Sequence, residues 1–151
     1  MRPRRVVFAV LVLCMAALAA ESPFSGRWKL NLEKSKLPPP APKSETAQVD
    51  ADDSNLHMKD AITDDKGQAM TVTYDAKFDG KDYPVTGDPN SDSISFQRVD
   101  ANTIKGTGKK AGKVVSTFTV VVSSDSKTTT VDFVDSSQGK PQSGTAVYDR
   151  E

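Results

Sequence analysis

The sequence predicts an all-β chain, an antiparallel up-and-down meander of about eight to ten strands closed into a barrel. Three observations carry this expectation. Apolar and polar residues alternate with a period of two through nearly every segment after residue 20, no later segment shows helical spacing, and short clusters of Gly, Asp, Asn and Ser separate the alternating runs. Consecutive hairpins make neighbouring strands antiparallel, and a long meander either exposes two edges or removes them by closing. A two-sheet sandwich is the alternative, but its crossovers need longer connections than most of those here.

Residues 1–19 read as a secretory leader: Arg2, Arg4 and Arg5 precede an apolar run from Val6 to Met15, and Ala17-Leu18-Ala19 supplies the small-x-small pattern of a cleavage site between Ala19 and Ala20. The run is too short to span a bilayer as a helix. The expected location is therefore periplasmic or secreted. Cys14, the only cysteine, falls inside the leader after Leu13, where lipidation would want a small residue, so the expected product is cleaved rather than acylated and has no disulfide. Residues 20–151 suit one domain around one core. Without the three leader arginines, acidic residues outnumber basic ones by three, a balance that argues against nucleic acid or an anionic membrane surface as partner.

The first alternating run places Phe24, Gly26, Trp28, Leu30 and Leu32 on one face and Arg27, Lys29, Asn31 and Glu33 on the other. The proline-rich segment 37–43 follows as a stiff connector, since proline fixes φ and lacks a donor. Leu56, Met58 and Ile62 line one strand up to the turn Asp64-Asp65-Lys66-Gly67; Met70, Val72, Tyr74, Ala76 and Phe78 line the next up to Asp79-Gly80. Ile94, Phe96 and Arg98 share a face beyond the loop 86–90, Ile104 follows Asp100-Ala101-Asn102, and a run from Val114 to Val122 follows Ala111-Gly112. The segments 128–134 and 143–150 form the closing pair.

Phe24-Ser25-Gly26-Arg27-Trp28, opening the first strand, and Arg150, in the last, resemble the Gly-x-Trp start and last-strand basic residue of lipocalins and fatty-acid-binding proteins. The resemblance implies a calycin-type barrel in which Trp28 plugs one end and Arg150 packs over its ring as a structural cation–π pair. The proline run stands where fatty-acid-binding proteins insert two helices, and Tyr148-x-Arg150 reverses their Arg-x-Tyr order, so neither the helical portal nor their carboxylate-binding role carries over. Segments 79–87 and 112–115 resemble small exported bacterial proteins of unassigned function, which implies no chemistry.

The expected function is non-catalytic binding of a small hydrophobic or amphipathic ligand inside the barrel, lined by Tyr74, Phe78, Phe96, Phe118 and Tyr148, with Arg98 as the polar anchor. The alternative is a barrel with a filled core, consistent with a hydrophobic fraction of only 36%, that acts through its surface. His57, the one histidine, alternates to the solvent face, and no Gly-x-Ser-x-Gly elbow is present, so no catalytic group is assigned. The carboxylates are expected in turns and at outward positions, with no pair set apart for acid–base work. No cofactor or metal is expected: Asp88-x-Asn90-x-Asp92 opens like a calcium loop, but Ser93 and Val99 replace its glycine and closing glutamate. Gly106-Thr107-Gly108-Lys109-Lys110 lacks the first glycine, the hydroxyl and the helix of a phosphate loop.

Overall fold

Ten strands follow one another in a single antiparallel meander: β1 (Gly26–Leu30), β2 (Ser44–Ala51), β3 (Asn55–Thr63), β4 (Ala69–Lys77), β5 (Tyr83–Thr86), β6 (Ser93–Arg98), β7 (Thr103–Lys110), β8 (Lys113–Val122), β9 (Thr128–Asp135) and β10 (Gln142–Arg150). Each pairs with its sequence neighbours, and β1 pairs with β10, which closes the barrel. The computed structural model describes residues 21–151; the expected leader at 1–19 lies outside the described residues.

Local chemistry explains where the strands stop. Aspartates at the hairpins accept backbone N–H groups two residues on: Asp52 from Ser54, Asp64 from Lys66, Asp79 from Lys81, Asp100 from Asn102 and Asp125 from Lys127. At Asp52, Asp79, Asp100 and Asp125 such bonds favour the ionised form. The Asn102 amide holds the Asp100 carboxyl below the ordinary carboxylate range, and the Ser123 hydroxyl, then the Lys127 amide, do the same for Asp125.

The first strand ends earlier than its alternation suggests. Asn31 donates its backbone N–H to Val147 and accepts from the Lys34 amide, so the chain turns after Leu30 and Leu32 is left 46% exposed rather than inward. Lys36 then exchanges two backbone hydrogen bonds of 2.7 and 2.9 Å with Thr145, taking up the part of β10 that β1 leaves free. From there the proline connector leads to β2 and packs Pro38 beside Gly144. The barrel thus has a connector end, near Glu45, Ile62 and Gly144, and an opposite end where β1 begins.

That opposite end is closed. Trp28 is 4% exposed, its indole N–H donates to the Phe24 carbonyl at 3.0 Å, and the Arg150 guanidinium lies 4.2 Å from its ring centroid. Arg150 also donates to the carbonyls of Ser126 (2.5 Å), Ser25 (2.6 Å) and Pro23 (3.0 Å). Gly26 has φ of +135°, and a Cβ there would collide with the same guanidinium, so the glycine of the Gly-x-Trp start makes room for Arg150.

Charge-assisted hydrogen bonds of this kind contribute about 1.5–3 kcal/mol each at most and the cation–π contact about 0.5–2. Allowing for overlap among them, Arg150→Ala should lower the unfolding free energy by about 3 kcal/mol in a urea titration. Arg150→Lys should recover less than half, because an ammonium cannot span three carbonyls while covering the indole.

Candidate functional site

The register fixes which side chains face inward. Phe96 lies opposite Gly106, Gly106 opposite Phe118, Phe118 opposite Phe133, and Phe133 opposite Gly144, so one inward face runs across β6 to β10. On the other wall, Ala47 lies opposite Asp60 and Asp60 opposite Val72, while Met58 faces Tyr74. At Gly106 an added Cβ would run into the Phe118 ring; a bare backbone there lets that ring lie against Phe96, centroids 5.8 Å apart.

Packing is uneven along the interior. At the closed end Phe24, Trp28, Val49, Leu56, Ala76, Ile104 and Val122 are buried. An aromatic chain climbs from there, Phe24 to Phe78 at 6.4 Å, Phe78 to Phe96 at 6.5 Å, and Phe96 to Tyr74 at 5.5 Å. Towards the connector end, Met58, Phe118, Val120, Val131 and Tyr148 point inward by register yet are only half-buried. Met58, Phe118, Val120 and Tyr148 pack against the buried core, and buried neighbours are interspersed among them: Leu30, Ala47, Val72 and Ala146 are buried in the same half, and Met58 and Val120 lie opposite the buried Val49 and Ile104.

A polar cluster occupies the same half. Glu45 on β2, Asp60 on β3, Tyr74 on β4 and Tyr148 on β10 converge: Tyr148 donates its hydroxyl to Glu45 Oε1 at 2.6 Å, and Tyr74 donates to Met58 Sδ at 3.1 Å. Asp60 is 6% exposed, and its Oδ1 has no hydrogen-bond partner. Burial, reinforced by the charge and hydrogen bond of Glu45, raises the Asp60 carboxyl from its ordinary 3.8 to about 9. Asp60 is therefore protonated at neutral pH. Burial likewise pushes the Tyr74 and Tyr148 phenols up.

The structure corrects the expectation that the carboxylates stay in turns and outward positions: Glu45 and Asp60 are inside. Asp60 stands two residues from both Met58 and Ile62, on the face that the apolar alternation defines, and that parity was the signal available in the sequence. Of the expected ligand-lining residues, Tyr74, Phe78, Phe96 and Phe118 share the aromatic chain, whereas Tyr148 belongs to the carboxyl cluster. Arg98 faces inward but at the closed end, its guanidinium 4.5 Å from the Phe78 centroid and 5.5 Å from that of Phe24, donating to the Asp52 carbonyl at 3.0 Å. Neither Glu45 nor Asp60 is among its partners. His57, on the outer surface, pairs with Asp75. Asp88 and Asp92 accept the amides of Asn90 and Ala111 as turn residues, and among the described residues no three His, Cys, Asp or Glu side chains are grouped to hold a metal ion.

Two concavities lie on the outside of the barrel. One crosses β7 to β10 between Lys36, Lys105, Thr107, Thr117, Asp132 and Thr145 and also touches Gly106, Phe118, Phe133 and Gly144; the other surrounds His57 between Asp50, Asn55 and Lys77. No protein-family model matches the chain, and no curated protein matches it.

A carboxyl whose proton is held more tightly in the folded state loses stability as pH rises from its unfolded value through its folded one. Wild-type stability should therefore decline between about pH 5 and pH 9, by at most about 1.4 kcal/mol per pH unit for one proton. The turn aspartates Asp52, Asp79, Asp100 and Asp125 act with the opposite sign and only at acid pH, and the difference between wild type and Asp60→Asn, which share every other group, isolates Asp60. Asp60→Asn should flatten the decline and be the more stable protein at pH 8, as read by urea unfolding at pH 5 and pH 8. Parallel pH profiles for the two proteins would show that Asp60 ionises freely.

Proposed function

We propose that this barrel is an exported, non-catalytic binding protein for a small apolar or amphipathic molecule, held in the connector half of its interior. The observation that carries the reading is the set of inward-facing but half-buried residues, Met58, Phe118, Val120, Val131 and Tyr148, that lies between the aromatic chain and the carboxyl cluster. A concave, mostly apolar lining with a few convergent polar groups is the usual make-up of a small-molecule site. The calycin-like architecture, a closed ten-strand antiparallel barrel, supports it at the level of fold. Export rests on the leader pattern in residues 1–19.

A second reading makes the barrel an interaction module acting through its outer face. It is favoured by the groove across β7 to β10, beside which Val121 and Val134 are each 40% exposed. Titration with a neutral fluorescent hydrophobe such as Nile red separates the two. Internal binding predicts saturable, one-to-one enhancement that Val131→Trp, which fills the interior, weakens at least about tenfold with unchanged far-ultraviolet circular dichroism. Absence of saturable binding to the folded protein, or binding weakened by Val134→Asp on the outer face and untouched by Val131→Trp, would overturn the internal site.

A further inference from the structure

We infer that the Glu45–Asp60 carboxyl pair is the head-group subsite of the barrel and takes a primary ammonium group carried on an apolar tail. This rests on the internal-binding reading and goes further by assigning the ligand's chemical class.

The pair is an excess of acceptors without a cation. None of the ion pairs among the described residues, which join Arg27 and Lys29 to Glu151, Lys34 to Asp149, His57 to Asp75 and Lys109 to Asp82, involves Glu45 or Asp60. The two inward-facing arginines, Arg98 and Arg150, are both at the closed end and engaged with carbonyls and aromatic rings. Of the titratable groups facing Asp60 from β2, β4 and β10, Glu45 acts on it, and Tyr74 and Tyr148 feel its charge; none of them is a cation.

The acceptors are also incompletely used. Tyr148 fills Glu45 Oε1, but Asp60 Oδ1 is buried without a partner; the other buried unpaired atoms among the described residues, Ser22 Oγ, Arg98 Nε and Thr129 Oγ1 opposite Val122, hydrogen-bond to neither carboxyl. A buried polar atom left unpaired is rare and unfavourable, so Asp60 Oδ1, beside a second carboxyl and without a cation, points to a group that completes it. An ammonium offers three donors and a positive charge, which answers two adjacent carboxyls together. A hydroxyl offers one donor and no charge. A carboxylate would bring its negative charge against Glu45 and Asp60, and a quaternary ammonium cannot donate at all.

Access and tail follow from the same geometry. Glu45 is half-buried beside Ile62 and Met70 at the connector end, and Met58, Phe118, Val120 and Val131 provide the apolar wall below. Binding is coupled to a proton. Asp60 is protonated in the free protein at neutral pH, and a neighbouring ammonium favours its carboxylate, so the Asp60 proton leaves to solvent while the ligand keeps its own.

Calorimetric titration at pH 7 with decylamine, decyltrimethylammonium, decanol and decanoate, in two buffers of different ionisation enthalpy, tests this. The expected result is decylamine binding at least about tenfold tighter than decanol or decyltrimethylammonium, decanoate weakest, and a buffer-dependent enthalpy reporting release of up to one proton per decylamine. Asp60→Asn should reduce decylamine to the level of decanol and abolish the buffer dependence. Decanol equalling decylamine, an amine preference without proton release, or a preference that survives in Asp60→Asn would overturn the head-group assignment while leaving the internal site intact. Failure of all four ligands to bind would remove both. Should the variant not fold, the wild-type order of affinities and its proton release decide the matter by themselves.

Discussion

Arg150 joins the two ends of the chain across a seam that contains only three register pairs, Trp28 with Arg150, Lys29 with Asp149 and Leu30 with Tyr148. Hydrogen bonding along so short a seam is weak closure for a barrel of ten strands. The guanidinium compensates by gathering carbonyls from Pro23 and Ser25 before β1 and from Ser126 in the β8–β9 turn, with the indole beneath it. Three distant stretches of chain meet on one planar cation, and the fork of donors on an arginine suits that geometry where a lysine would not. Because the barrel closes there, its inward face becomes an interior, and the behaviour of every group inside depends on that fact.

The two halves of this interior answer to different demands. At the closed end the positive charges of Arg98 and Arg150 sit on aromatic faces and carbonyl oxygens, which receive them without any carboxylate. At the connector end the negative groups gather, and their electrostatics are those of a poorly hydrated space: one carboxyl keeps its proton, and two phenols resist losing theirs. The separation runs along the barrel axis, with cations at the sealed end and acids towards the connector end. An amphipathic molecule entering from the connector end would meet acceptors at the rim and hydrocarbon further in.

Much of the architecture was legible because its physical causes are local. Period-two alternation sets which face of a strand is inward, and aspartates that bind their own backbone mark the hairpins, so the meander and its closure follow from short-range pattern. Leu32 shows where alternation misleads: the pattern continues past Leu30, but Asn31 turns the chain by hydrogen bonds to Val147 and Lys34, partners that no local pattern reveals. Arg98 was readable as inward-facing, yet what receives its charge, the Asp52 carbonyl 46 residues away and the Phe24 ring, is set by the barrel's closure. Glu45 and Asp60 escaped for another reason. Reading a face from its apolar members passes over a charged residue standing among them, although the parity of Asp60 with Met58 and Ile62 places it inside.

The position of Asp60 reveals how the fold tolerates it. A carboxyl buried at the closed end would have to be desolvated inside dense packing, against aromatic rings that favour cations, where an unpaired acid is most destabilising. On β3, one register step from the half-buried Glu45, it keeps its proton, shares it with a neighbour that reaches partly hydrated space, and leaves the Trp28–Arg150 closure on the far side of the aromatic chain untouched. A leucine or asparagine at this position would make a more stable barrel by the same reasoning, since polar burial is seldom the most stable filling of a core. The acid is thus a local burden confined to the connector half of the interior, and the closure can bear it because the two are separated along the axis. Stability and chemistry occupy opposite ends of one barrel, linked only through the strands that run between them.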